Sequence, residues 1–358
     1  MRAPMVSVVM SVFNGEQFLA EAVESILDQS FSDFEFIVIN DGSTDRSGAM
    51  LDTFQEKDSR LRVYHQENRG LVESLNRGCS IARGKYIARM DADDIAIRDR
   101  LRSQIDFMEE HPEIGLLGGV MELIDVNGRV FNTLRPPVDD QPIRSALYQA
   151  DCPMYHPTIV MRKTVFASSG GYRTFFLDAE DYDLWLRMAK RSQLANLDAV
   201  VLKYRVHPGQ VSQRKLIQQS LSTLGACEIA MSAETNKCDT LSSGCAITPA
   251  ELAKLGVSQS RQQQALILRY RNSICSLALA NDISAALSLA TEMFRSSRWE
   301  YVKRSMIANL WLVTASLYWR QGRVFRTLLA ISHAIIVWPI VAVRPFKPFL
   351  AKLSSRFP

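Results

Sequence analysis

The 358-residue chain is 47% hydrophobic and 22% charged, with a formal net charge of +4. This excludes a disordered or low-complexity protein, and the length calls for two domains or one large domain with an appendage. Six cysteines (79, 152, 227, 238, 245 and 275) show no CxxC or finger spacing, which speaks against a zinc module.

The first hundred residues alternate strand and helix. VSVVMSVF (6–13) reads as a short buried strand, rich in valine and ended by Asn14-Gly15. The opening lacks the basic-then-apolar layout of a cleaved export signal, so the thiols are expected to stay reduced. Over 16–29, Phe18, Leu19, Ala22, Val23, Ile26 and Leu27 recur at helical spacing, with Glu16 and Glu21 near the start. FEFIVIN (34–40) is a second strand and DGSTD (41–45) a turn. Thr44 or Asp45 caps the next helix, which runs to about Lys57. LRVYHQ (61–66) is a third strand, 70–82 a helix, and GKYIARM (84–90) a fourth strand. Such alternation predicts an α/β fold with a mostly parallel sheet covered by helices.

Beyond residue 100 the pattern changes. RLRSQIDFMEEHP is a helix stopped by Pro112, and 114–134 reads as antiparallel strands around an Asn127-Gly128 turn. HPTIVMRKTVF (156–166) is strand-like, EDYDLWLRMAKR (180–191) an amphipathic helix, and VVLKYRVH (200–207) a closing strand. After about residue 212 the chain is mostly helical, with a polar loop around 232–247.

Asp91, Asp93 and Asp94 crowd the end of the fourth strand in RMDADD. Strand alternation would put Asp91 and Asp93 on one side and Asp94 on the other. Ligands of open α/β sheets bind at the carboxyl ends of the strands. A hard divalent cation, Mg2+ or Mn2+, offsets the repulsion of such carboxylates and carries a phosphorylated substrate; a solvated turn is the plainer alternative. Asp41, in NDGSTD, ends a second strand and suits either a ribose or base edge or ordinary turn chemistry. Phe13, in SVFNG, ends the first, as a stacking platform or a core residue.

Residues 6–47 with NRGLVESLNRGCSIARGKYIARMDADD resemble the nucleotide-sugar-binding half of family 2 glycosyltransferases, a likeness covering about residues 5–210. The resemblance implies the GT-A fold, a Rossmann-like sheet flanked by helices, here with a helical C-terminal extension. It further implies an inverting transfer from a nucleoside diphosphate sugar, UDP-linked by default, to a glycan or polyprenyl-linked acceptor, as in polysaccharide biosynthesis. By motif, Phe13 (more often tyrosine in the family) and Asn14 line the base pocket. Asp41 and Arg69 bind the nucleoside, and Asp91 and Asp93 form the DxD pair. Asp93 is the direct metal ligand, with Asp94 in support. His207, in YRVHPGQVS, approaches the metal or diphosphate, assisted by Arg205. Glu180, Asp181 and Asp183 are candidates for the base that deprotonates the acceptor, and Asp181 matches the family's position. Glu180 and Trp185 fall on the acceptor side; helix capping is the plainer alternative for Glu180 and Asp181, and core packing the favoured one for Trp185. His156 is read as lining the acceptor side or as structural. Gly170-Gly171 suits a closing loop. The corresponding domains are 1–212 (nucleotide half 1–100, acceptor half 101–212) and 213–358. A nucleotidyltransferase is the competing enzyme class, but VFNGEQF lacks its glycine-rich basic loop. A non-catalytic scaffold conflicts with intact Asp41, Asp91, Asp93 and Asp181.

The charge is unevenly placed. From Phe294 onward there are eleven basic residues (295, 298, 303, 304, 320, 323, 326, 344, 347, 352 and 356) and one acid, Glu300. That tail is +10, which against a whole-chain +4 leaves the body at −6. Its basic residues are interleaved with the apolar stretches 306–319 and 327–343, a mixture that suits an anionic membrane surface better than nucleic acid. The second stretch is at the lower limit for spanning and contains His333 and Pro339. Helices across about 306–345 are therefore expected to lie on the cytoplasmic membrane face, peripheral or monotopic. A spanning helix and a soluble subdomain are the alternatives.

Overall fold

The computed structural model describes residues 3–176, 178–207, 215–232, 247–296 and 299–339. Valine and isoleucine with no solvated face build its centre. Val6–Val12 (β1) and Phe34–Asp41 (β2) are buried almost throughout, as strands covered on both faces must be. Leu19–Leu27 (α1) lies between them in sequence and buries Leu19, Ala22, Val23 and Ile26. It begins three residues later than helical spacing suggests, because Gly15 O accepts from the N–H groups of Phe18 and Leu19 and Asp45 takes that of Glu16. Ser47–Lys57 (α2), Leu61–Gln66 (β3), Leu71–Ile81 (α3) and Tyr86–Met90 (β4) follow. Asp45 accepts from Ser47 N–H at 2.9 Å, so it serves the first turn of α2, whereas Thr44 is used elsewhere.

β1 pairs in parallel with β2 on one side and β4 on the other, and β3 extends the sheet beyond β2. The chain thus winds one way from β1 and returns to its other side, which makes the carboxyl edge of β1 and β4 a topological switch point. One buried acid locks this corner. Glu35 accepts from Ser7 Oγ at 2.7 Å and Arg83 N–H at 2.7 Å, and pairs with the guanidiniums of Arg62 and Arg83. Burial works to raise its pKa, but these partners outweigh burial and hold the carboxyl below the usual range. Gly84 passes so close that a Cβ there would stand 2.5 Å from Ser7 N.

The second half of the sheet comprises Ile95–Ala96 (β5), Ile114–Ile124 (β6), Val130–Leu134 (β7), Val160–Arg162 (β8) and Gln193–Arg205 (β9). The strand order is β3-β2-β1-β4-β8-β6-β9-β5, with β7 on β6. β8 runs antiparallel between β4 and β6, β9 is parallel to β6, and β6 and β7 form the expected antiparallel pair. Arg100–Glu110 (α4), Asp140–Leu147 (α5), Lys163–Ser168 (α6) and Glu180–Ala189 (α7) complete this part. Two expectations change. The strand read over 156–166 is a 3-10 turn (His156–Thr158), the short β8 and then α6, since Pro157 has no N–H to give a ladder. The closing strand starts at Gln193 rather than 200. Its register on β6 shifts near Gly119 and Val120, which breaks the alternation that marks a strand in sequence.

The chain divides into two compact units after Val257. Leu216–Met231 (α8), which packs on α7, and Pro249–Lys254 (α9), with its Thr248/Glu251 capping box, belong to the first. The second holds Gln259–Leu279 (α10), Ile283–Ser296 (α11), Arg304–Arg320 (α12) and Val324–Val337 (α13), each packed on the next. The Trp311 ring stacks 3.7 Å from Phe294 and 4.7 Å from His333. Among the described residues no helix is long and apolar enough to cross a membrane. Most of the predicted polar loop, and residues 340–343 of the second apolar stretch, lie outside the described residues.

Candidate active site

β4 ends at Met90, level with Met10 of β1, and the chain then turns instead of continuing as a strand. The expected alternation therefore fails: Asp91, Asp93 and Asp94 bring ligand oxygens within 4.8 Å of one another. Each is held differently. Asp91 pairs with the buried guanidinium of Arg89. Asp93 Oδ2 lies 3.0 Å from His207 Nε2. Asp94 is fully buried, and its Oδ1 accepts from Arg205 N–H at 3.0 Å. Asp94 Oδ2 has no hydrogen-bond partner among the described residues. Burial, then Asp93 and Asp91, push the Asp94 carboxyl well above the ordinary range. Burial also lifts Asp91, against the pull of Arg89. Like charges this close repel by about 4 kcal/mol at the effective dielectric of a protein surface. An orphaned carboxyl oxygen within reach of two further carboxyl groups is what a hard cation would satisfy, so these residues fit Mg2+ or Mn2+.

Arg205 does not reach toward a diphosphate, as the sequence led us to expect. It is 1% exposed and spends its guanidinium on the carbonyls of Asp93, Asp125 and Val126 and on Glu21, over the Phe18 ring. It braces the acidic turn.

The loops after β1 and β2 are tied together at the same edge. Asn14 adopts a left-handed backbone (φ 52°), and its Oδ1 accepts from Thr44 N–H at 2.8 Å. Gly15 N–H donates to Ser47 Oγ, and Arg46 N–H to Glu16. The Asn14 side chain is thus committed to loop geometry, whereas the Phe13 ring stands 53% exposed. Asp41 is 2% exposed, and its carboxylate accepts from Gln66 Nε2 and from the N–H groups of Arg69 and Gly70 at 2.7–2.8 Å. It shapes the 66–70 loop and leaves the Arg69 side chain in solvent. Gly42 (φ 75°) permits this, because a Cβ there would meet Asn68 N at 2.6 Å.

On the other side stands the start of α7. Glu180 is 5% exposed, and burial with Asp181 beside it raises its carboxyl to about 8. Asp181 is partly exposed, and its Oδ1 accepts from Tyr182 N–H. Asp183 is excluded as a base, because Arg173 and Arg187 enclose its carboxylate. Arg187 also donates to the carbonyls of Ser169 and Gly171, and Asn76 accepts from Tyr172 N–H. The Gly170-Gly171 segment, expected to be a closing loop, is therefore pinned. Trp185 is fully buried; the His156 ring lies edge-on to it at 5.8 Å, and His156 Nε2 lies 2.9 Å from Tyr172 Oη. Burial and Arg89 keep that imidazole neutral.

Arg89, not singled out from the sequence, links the two acidic groups. It pairs with Asp91 and is also within electrostatic reach of Glu180, His156 and Tyr172. Its only sequence signal is a cation inside an apolar strand of five buried residues.

A family model described as "Glycosyl transferase family 2" matches residues 7–170. An uncharacterized glycosyltransferase of Haemophilus influenzae is 32% identical over 219 residues, 58% of this chain and 68% of that protein. The O-antigen biosynthesis glycosyltransferase WbnJ of Escherichia coli is 33% identical over 207 residues, 57% of this chain and 80% of its own. The mannosyltransferase PcManGT of Pyrobaculum calidifontis, solved with GDP-Man and Mn2+, shares the fold with a TM-score of 0.52 at 18% identity, over 95% of this chain and 88% of that one.

Proposed function

The chain belongs to glycosyltransferase family 2, with the GT-A fold, and on that premise we propose that it is a metal-dependent, inverting hexosyltransferase of surface polysaccharide synthesis. The observation that carries the reading is the gathering of Asp91, Asp93 and Asp94 at the switch-point edge of the sheet. Residues 1–212 carry the transfer chemistry; of the helical region 213–358, α8 and α9 belong to the same compact unit, and the helices after Val257 work at the cytoplasmic membrane face.

In this reading the exposed Phe13 ring stacks on the donor base, and Asp41, through the loop it shapes, presents Arg69 to the nucleoside. UDP is the favoured nucleotide. Asp93 and Asp91, with His207, hold Mg2+ or Mn2+, which when bound neutralises the diphosphate. Asp93 and His207 fix each other's orientation before donor arrives. The acceptor is a glycan or a polyprenyl-linked oligosaccharide, and Glu180 and Trp185 support its side. Its hydroxyl oxygen bonds to the anomeric carbon as the bond to the diphosphate breaks, and the electron pair leaves with the diphosphate. Asp181 takes the hydroxyl proton. Glu180, whose carboxyl burial and the neighbouring Asp181 raise to about 8, stands beside this base at the start of α7.

A panel of nucleotide sugars, screened by thermal shift and by release of nucleoside diphosphate with and without Mn2+, tests this. One donor should give Mn2+-dependent stabilisation and turnover. Absence of both across UDP, GDP and dTDP sugars would sink the reading.

A further inference from the structure

α13 is packed the wrong way round for a helix in water. Its buried residues are the small Thr327, Ala330 and Ala334, and Ala334 packs on Ala308 of α12, with Trp311, Leu312, Val337 and Trp338 partly buried around that pair. Its large apolar side chains face outward: Phe325 is 80% exposed and Ile336 76%, with Leu328 and Leu329 between them. Phe325, Leu328 and Leu329 lie within about one turn and Ile336 follows two turns after Leu329, so the four share one face, with Ser332 between them. A helix surrounded by water turns such residues to its core. Small residues between helices and large ones outward is the arrangement favoured where hydrocarbon is the surroundings. At 14 and 17 residues, α13 and α12 are about 21 Å and 25 Å long, shorter than the roughly 30 Å hydrocarbon layer. They suit one leaflet.

Charge selects the occupant. Arg320, Arg323 and Arg326 flank the hairpin turn at Gly322, beside the exposed Trp319, and no acid occurs after Glu300. A second copy would bring the same cations face to face. We propose that the α12–α13 hairpin docks on an anionic lipid bilayer, with Phe325, Leu328, Leu329 and Ile336 entering the headgroup–acyl boundary and Arg323 and Arg326 on lipid phosphates. This rests on the membrane placement proposed above and gives it a named surface, while the transfer chemistry stands apart from it.

The test is flotation of the full chain with phosphatidylcholine vesicles, with and without phosphatidylglycerol. The wild type floats only with the anionic lipid. Phe325→Ser combined with Leu328→Ser and Ile336→Ser, or Arg323→Glu with Arg326→Glu, lowers partitioning at least about tenfold, with unfolding midpoint and donor hydrolysis retained. A wild type that stays in solution overturns both the placement and the surface. A wild type and variants that float equally overturn the surface alone. Concentration-dependent dimers lost in the serine variant, without vesicle binding, overturn the lipid assignment in favour of a second copy. If the serine variant does not fold, the arginine pair decides by itself, since both side chains are exposed.

Discussion

His207 Nε2 lies 3.0 Å from Asp93 Oδ2, although 114 residues separate them. The end of β9 therefore grips the acidic turn three times: here, where Arg205 N–H meets Asp94, and where the Arg205 guanidinium donates to the Asp93 carbonyl. If the pair holds a cation, Asp93→Asn should lower Mn2+ affinity by well over tenfold and His207→Ala by about tenfold. Calorimetry with Mn2+ and a nucleoside diphosphate reads this directly. Unchanged affinity in Asp93→Asn would remove the residue from the metal site.

Asp181→Asn should leave donor affinity intact and cut turnover by about a thousandfold, within the range of a lost general base. Asp183→Asn should act through stability instead, because it leaves Arg173 and Arg187 without their carboxylate. Comparing kcat with the unfolding midpoint separates the two aspartates, and near-normal turnover in Asp181→Asn contradicts its role.

Glu180 gives a pH test of stability. Its folded-state carboxyl is raised to about 8, above the ordinary value of 4.5, so the folded chain holds the proton more tightly than the unfolded chain. Stability should therefore fall as pH rises from about 4.5 to 8 and level off above. Glu180→Gln, which cannot ionise, should gain on the order of 2 kcal/mol over the wild type at pH 9 and little at pH 4.5. Urea unfolding at the two pH values checks the sign; an equal effect at both contradicts it.

Asp41 makes three hydrogen bonds within its own fold, so Asp41→Ala should cost about 2–4 kcal/mol and free the 66–70 loop. Amide exchange at Arg69 and Gly70 should accelerate together with the loss of donor affinity. Lost affinity with protected amides would mean that Asp41 acts on the donor alone.

The strands 6–12, 34–41 and 86–90 and the acidic turn were legible because their signals are local: apolar runs, a turn, charges at a strand end. What stayed hidden depends on pairings across long separations. Nothing near Arg205 in the chain says that its guanidinium will meet carbonyls at 93, 125 and 126. Asp183 reads like Asp181 until Arg173 and Arg187 close on it. The start of β9 was missed because its ladder is irregular, and β8 was overread because Pro157 interrupts an otherwise β-rich run.

The short β5 just after the acidic turn finds its partner only at Leu202 and Lys203, and the turn itself closes on residues 205 and 207. A chain emerging from the ribosome thus carries every carboxylate of the turn, and the Arg89 that pairs with Asp91, long before the residues that fasten Asp93 and Asp94. The acidic turn is therefore complete only once the last strand of the sheet is in place, and its acidic residues by themselves do not make the site.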